Sequence, residues 1–108
     1  MDSVDAVERA KLLSTFANPK RLLMLKIMLD EEVSVGTLAE RVGLSQSATS
    51  QHLALLKRNG LMVQKREMTS RYCSITADMH SLVRSLIETA ESKQTTLMVV
   101  RVLAQSLA

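Results

Sequence analysis

Few side chains in this 108-residue chain could do covalent or acid–base chemistry. There are two histidines, His52 and His80, and one cysteine, Cys73. Neither histidine is spaced to pair with a nucleophile or an orienting carboxylate, and no glycine-rich phosphate loop occurs, so these residues do not compose an enzyme. One cysteine allows no intrachain disulfide. Cys73 follows Tyr72 in a strand-like run and reads as a small core residue; a sulfenic acid or an intermolecular disulfide is the redox alternative. What the chain does offer is hydrogen bonding. At about 100° per helical residue from Ser45, Ala48, Thr49, His52, Leu53, Leu55, Leu56 and Asn59 fall on one side. Gln46, Ser47, Ser50, Gln51, Ala54, Lys57 and Arg58 fall on the other. That second face has amides and hydroxyls at its start, a small residue in the middle and two cations at its end. A helix entering a DNA major groove needs these: donors and acceptors short enough for base edges, glutamine able to pair with adenine through two bonds, and cations for phosphates.

Charge is distributed to match. The net charge is +3 and the isoelectric point about 9.4. Between Ser45 and Arg71 the cations Lys57, Arg58, Lys65, Arg66 and Arg71 face only Glu67, five less one, so this segment carries +4 while Asp30, Glu31 and Glu32 form an acidic corner. With 46% hydrophobic and 23% charged residues the chain is globular, and with only Phe16 and Tyr72 as aromatics its core must be aliphatic and methionine-filled. No signal-like N-terminal stretch and no apolar run near the roughly 20 residues of a membrane helix occurs. The expectation is a reduced, cytoplasmic, soluble protein without a membrane partner.

The polar face must be positioned by its neighbours. Val4, Val7, Ala10, Leu13 and Phe16 recur at helical spacing, predicting a helix over 3–17. Asn18-Pro19 then starts a second helix, over 19–29, apolar almost all round and therefore expected to be buried. A short connection at 31–34, with room for a strand residue or two, leads to a helix over 35–42 that Gly43 closes. Ser45 caps the next, which Gly60 closes. The pair forms a helix-turn-helix over 35–59. Residues 61–67 and 71–76 alternate like strands about a Met68-Thr69-Ser70 turn, predicting a hairpin, or wing, over 61–76. Met79, Leu82, Val83, Leu86, Ile87 and Ala90 resume helical spacing from Asp78, read as an N-cap; the tail 95–108 either continues this helix or forms another, with Thr95-Thr96 and Val99-Val100 weakening it. The fold class is mainly α with a small β-hairpin, a single winged helix-turn-helix domain over 1–108.

Asn18-Pro19-Lys20-Arg21-Leu22-Leu23, Ser34-Val35-Gly36-Thr37-Leu38-Ala39 and Leu44-Ser45-Gln46-Ser47-Ala48-Thr49-Ser50-Gln51-His52-Leu53, with Leu56 and Gly60-Leu61, together resemble the ArsR/SmtB family of bacterial winged-helix repressors. The resemblance spans roughly residues 8 to 90 and is to the branch without metal-site cysteines. It implies a homodimer joined through the first and last helices, 3–17 and 78–107, on double-stranded DNA carrying an inverted repeat. It implies recognition by Gln46, Ser47, Ser50 and Gln51; with the residues above, the DNA-binding set is Ser45, Gln46, Ser47, Ser50, Gln51, Lys57, Lys65, Arg66 and Arg71.

Many members of the family release DNA on binding metal. Where one metal-site type has cysteines, this chain has Ser34-Val35-Gly36, which supplies no thiolate. A second type places Asp and His two apart on the last helices, then His and Glu. Asp78 and His80 match its first half, while Glu91 and Gln94 stand in the second. Asp78, His80 and Glu91 are thus the candidate metal ligands, and the expectation is no metal and no cofactor. His80 reads instead as an interface or surface residue, and His52 as structural or phosphate-contacting. Two alternatives remain: a metal- or redox-responsive repressor of the same fold, and a winged-helix module that binds proteins.

Overall fold

Local signals start and stop most of the helices. The Asn18 side chain accepts from the backbone N–H groups of Lys20 at 3.0 Å and Arg21 at 3.1 Å, with Pro19 at the first helical position. Ser34 caps the following helix through Thr37 N, and Ser45 caps the one after through Ala48 N. Gly43 and Gly60, both at φ 73°, supply the left-handed residue that ends these two helices. At Gly43, Leu44 N donates to Ala39 O and Gly43 N to Glu40 O; at Gly60, Leu61 N donates to Leu56 O and Gly60 N to Lys57 O. Each end thereby satisfies carbonyls the helix leaves open.

The computed structural model describes residues 1–91 and 93–107. Helices α1 (Ser3–Phe16) and α2 (Pro19–Asp30) precede a two-residue strand β1 (Val33–Ser34). Helices α3 (Val35–Val42) and α4 (Gln46–Arg58) follow, then strands β2 (Met62–Glu67) and β3 (Ser70–Ile75), a 3-10 turn (Ala77–Met79), α5 (His80–Glu91) and α6 (Lys93–Leu107). The sheet is antiparallel in the order β1-β3-β2, with Val33 opposite Cys73 and Gln64 opposite Cys73 on its other side.

The core is aliphatic and methionine-rich, as the lack of aromatics requires. Met24, Leu25 and Met28 of α2, Leu38 of α3, Leu53 and Leu56 of α4, Leu61, Met62 and Cys73 of the wing base, and Val83 of α5 are all buried. Burying a leucine of this kind contributes about 1.5–3 kcal/mol. Helix α1 joins the core only at its end: Thr15 is its one buried residue. It is held by hydrogen bonds. Arg21 donates from Nε to Thr15 O at 2.7 Å and from Nη2 to Ser14 O at 3.2 Å, while Asn59 Nδ2 donates to Thr15 Oγ1 at 3.1 Å. The radius of gyration is 15.0 Å, above the roughly 13 Å of a compact domain of this length.

Of the two alternatives left open for the tail, the second is found: after a 3-10 turn at Ala77–Met79 come α5 and a separate α6. Val83 and Ile87 of α5 face the core whereas Met98 to Leu103 of α6 are exposed, so the two apolar stretches do not share one buried face. Asp78 is not an N-cap; the position falls to Thr76, which makes no side-chain cap bond. The wing turn is two residues, Met68-Thr69, because Ser70 pairs with Glu67 at the end of the ladder. Helix α2 is not enclosed all round, since Leu23 is 49% exposed. No helix among the described residues is long and apolar enough to cross a membrane.

Thr49 is fully buried and its hydroxyl has no hydrogen-bond partner. Replacing an unsatisfied buried group by an apolar one of the same shape removes a desolvation penalty. Thr49→Val is therefore expected to leave the melting temperature unchanged or raise it; a clear drop would show that the hydroxyl is satisfied.

Candidate nucleic-acid interface

The Gly43-Leu44-Ser45 turn fixes the angle between α3 and α4, and half-buried Leu44 pins it to the core. The apolar side of α4 is buried at Thr49, Leu53 and Leu56. At 3.6 residues per turn that burial forces the opposite side outward. Ser45, Gln46, Ser47, Gln51, Ala54, Lys57 and Arg58 are exposed, and Ser50 is half-buried at the edge. This is the division expected from the sequence. Lys57 and Arg58 in the last turn also complement the negative end of the helix dipole.

The wing sorts its cations by strand alternation. Arg66 stands directly opposite Arg71 across the ladder, and side chains of paired residues share a face. Arg71 lines an open polar cleft of about 300 Å³ together with Ser34, Gly36, Gln46, Thr69 and Ser70. The turn end of the wing thus borders the same cleft as Gln46 in the N-terminal turn of α4. Gly36 lies next to Gln46: a Cβ there would stand 3.4 Å from Gln46 Nε2, at the edge of ordinary contact. Two opposed arginines repel each other, so this face stores a charge that an anion would neutralise. Lys65 does not join it. It lies on the other face of β2 and donates to Glu67 at 2.8 Å, a bond that raises its pKa and keeps it charged but directs it away from the cleft.

Sequence reasoning missed Arg21, whose role depends on three elements meeting. Besides holding α1, its Nη1 lies 3.3 Å from His52 Nδ1 on α4. Since arginine always donates, His52 accepts there, which makes it a structural residue that fixes α4 against α1 and α2. Thr69 and Ser70 were also missed as cleft residues; their only sequence signal was adjacency to Arg71.

The metal candidates are kept apart by other duties. His80 Nε2 lies 3.3 Å from Leu29 O, at the end of α2, and the residue is half-buried. Glu91 faces Lys26 at 3.9 Å, and Asp78 is exposed on the 3-10 turn. Within the described residues no three acidic, histidine or cysteine side chains cluster as a donor set. Within one chain Asp78, His80 and Glu91 therefore do not converge as a donor set; the side chain of Gln94 lies outside the described residues. Cys73 is fully buried between β1 and β2. Burial pushes its thiol pKa up, outweighing a Gln64 hydrogen bond and the Arg71 charge, which act the other way.

Comparison with known proteins places this geometry. Residues 18–64 match the family model described as bacterial regulatory protein, arsR family. The nodulation protein NolR of Rhizobium meliloti is 49% identical over 68% of this chain and 61% of its own length. The transcriptional activator HlyU of Vibrio cholerae is 43% identical over 71% of this chain and 68% of its own. The chain belongs to the arsR family of bacterial regulatory proteins. The chain spans under two thirds of the length of NolR. A homodimeric winged helix-turn-helix DNA-binding domain from Mycobacterium bovis superposes with a TM-score of 0.73 at 26% identity, over 84% of this chain and 88% of that one. The arsR-family match ends within the wing, so it covers α2 to the start of β2 and leaves α1, the wing tip and α5–α6 to be understood from the structure.

The buried thiol gives a direct test. Cys73 should react with a thiol reagent orders of magnitude more slowly in the folded protein than in denaturant, because the thiolate is the nucleophile and is disfavoured. Its raised pKa contributes stability that is present below the ordinary thiol range and lost as pH rises through the folded value. Rapid labelling of the native protein would overturn the buried, structural role.

Proposed function

We propose that this arsR-family chain is a repressor that binds an inverted-repeat operator as a homodimer and needs no metal effector. The observation that carries the reading is the outward amide and hydroxyl face of α4 set beside the Arg71 cleft. Gln46, Ser47, Ser50 and Gln51 enter the major groove and read base edges; Ser45, Lys57, Arg66 and Arg71 hold the backbone. Lys65, on the outer face, contributes long-range attraction. Operator binding excludes polymerase from the promoter.

The homodimer reading is supported by apolar surface left open on the elements at the two ends of the chain. Val4, Val7 and Leu13 of α1 are 71%, 53% and 62% exposed, and Leu82 of α5 is 46% exposed. Met98, Val102 and Leu103 of α6 are 65%, 58% and 55% exposed. A helix of 14 residues with one buried side chain is marginal alone in water and is stabilised by a partner. The relative from Mycobacterium bovis is homodimeric. Two-fold symmetry then sets half-sites about one turn, ~10 base pairs, apart. The working compartment is the cytoplasm, where Cys73 stays reduced.

The test is selection from a randomised duplex pool at moderate salt, with zinc or with chelator. One inverted repeat recovered equally in both is expected; loss on adding zinc would favour a metal-responsive regulator, and no enrichment a protein-binding module. On the recovered site, Gln46→Ala or Gln51→Ala should relax base preference at a cost of about 1–3 kcal/mol. Arg66→Ala or Arg71→Ala should weaken all duplexes alike and lower the salt-dependence slope by about 1. Unchanged affinity and specificity in the glutamine variants would refute the groove assignment. A reporter downstream of the site should fall when the protein is supplied.

A further inference from the structure

Of the two cations that end α4, Arg58 has no place in the DNA contacts proposed above. It is exposed, and among the described residues it pairs with no carboxylate. It lines an open cleft of about 500 Å³ between α1 and the end of α4. Lys11 and Ser14 stand on the α1 side, and Leu55, Arg58 and Asn59 on the α4 side. Buried Thr15 joins the two at the base: Asn59 Nδ2 donates to Thr15 Oγ1 at 3.1 Å and to Leu55 O at 3.0 Å. Both hydrogens of the Asn59 amide are thereby used, and the floor of the cleft is braced from each side. Lys11 Nζ lies 3.3 Å from Glu8 Oε1, with both side chains 67% exposed. An exposed pair of this kind is weak, and it leaves the ammonium further hydrogens to donate.

We propose that this cleft binds a small organic monocarboxylate, held by Arg58 and Lys11, and that the bound acid favours the operator-binding state. Charge sets the valence: Arg58 and Lys11 against Glu8, two less one, leave a single positive charge. Size sets the class, since a cleft of about 500 Å³ is in the range of small-molecule sites and far larger than an inorganic ion fills. Half-buried Leu55 and the methylene stems of Lys11 and Arg58 offer apolar surface to the body of the acid. A guanidinium meets a carboxylate through two parallel bonds. The C-terminal end of a helix carries partial negative charge, so Arg58 decides whether this end of α4 attracts an anion or repels it. A ligand touching both sides binds best when α1 and α4 stand at this spacing. In that same arrangement Arg21 Nη1 reaches His52 Nδ1 and the polar face of α4 points outward. A ligand shifts an equilibrium by the difference in its affinity for the two states. By linkage, the operator raises the affinity for the acid by the same factor. The effect on the operator rests on the DNA-binding reading above; binding of the acid does not.

The test follows the backbone amide NMR signals of the full-length protein during titration with benzoate, benzamide or inorganic phosphate. Benzoate should shift Lys11, Ser14, Arg58 and Asn59 saturably. Benzamide has the ring without the charge and phosphate the charge without the ring, so each should bind about tenfold more weakly. Arg58→Gln and Lys11→Gln should each weaken benzoate about tenfold at an unchanged melting temperature. Benzamide binding as tightly as benzoate would overturn the carboxylate assignment. Phosphate binding as tightly would overturn the organic one, and no shift at these four residues would overturn the site itself. On the duplex recovered from a randomised pool, saturating benzoate should tighten the wild type about fivefold or more. Lys11→Gln should bind that duplex as the wild type does without benzoate and should not respond to it. Saturable benzoate binding with unchanged operator affinity would overturn the regulatory role. If no duplex is enriched, the DNA-binding reading fails while the benzoate shifts still decide the site.

Discussion

Burial of Leu53 and Leu56 sets the rotation of α4 about its own axis, and the rest of the interface depends on that angle. Both leucines are fully enclosed by the same core that holds Met24, Leu25 and Leu38. Removing either would cost about 2–5 kcal/mol, far more than any hydrogen bond that the polar face could recover by turning inward. The helix therefore has one stable orientation, and the side chains on its opposite face are held outward before any ligand arrives. Preorganisation of this kind reduces the ordering cost of binding. It also explains why the connection before α4 is so closely specified: Gly43, Leu44 and Ser45 each contribute a separate constraint, on backbone angle, packing and capping.

The same physics leaves α1 dependent on other elements. Beyond Phe16, which packs against the core at its end, its exposed apolar residues find no cover, and Arg21 and Asn59 attach it by hydrogen bonds. Arg21 also reaches His52, so one guanidinium spans α1, α2 and the middle of the recognition helix. A guanidinium with five donors in a fixed plane suits such a junction, where a lysine would supply one point charge. Through it, a helix with exposed apolar surface is tied by hydrogen bonds to α4. Seating the apolar side of α1 on a second copy would hold α4 in place as well.

Much of this was legible in the sequence because its signals are local. Asn18-Pro19, Gly43, Ser45 and Gly60 act within a few residues of themselves, and the structure has each where the sequence puts it. The two sides of α4 follow from periodicity alone. What could not be read was set by contacts between distant elements. The pairing of Ser70 with Glu67 shortens the wing turn, and a one-residue change in where a strand begins decides what the turn contains. Lys65 and Arg66 look equivalent as neighbours in a basic run, yet strand alternation sends them to opposite faces. His80 is polar and lies on an amphipathic helix, which suggests the surface; only the arrival of α2 beside it supplies the Leu29 carbonyl that draws it in.

The wing also shows how a local conflict can indicate function. Arg66 opposite Arg71 and a positive-φ methionine at an exposed tip each oppose folding in a hairpin of six-residue strands. Natural sequences tend toward local choices that agree with the fold, so disagreements concentrated in one place call for a reason outside it. Here the disagreements share a sign and a position: excess positive charge and bare apolar surface, adjacent to the groove-reading helix. A polyanion would answer the first, since its phosphates would relieve the arginine repulsion. A protein partner would answer the second and not the first unless it were itself strongly acidic. The conflict at the wing tip and the order in α4 therefore point to the same ligand by opposite routes, one through what the fold strains to present and the other through what it holds without strain.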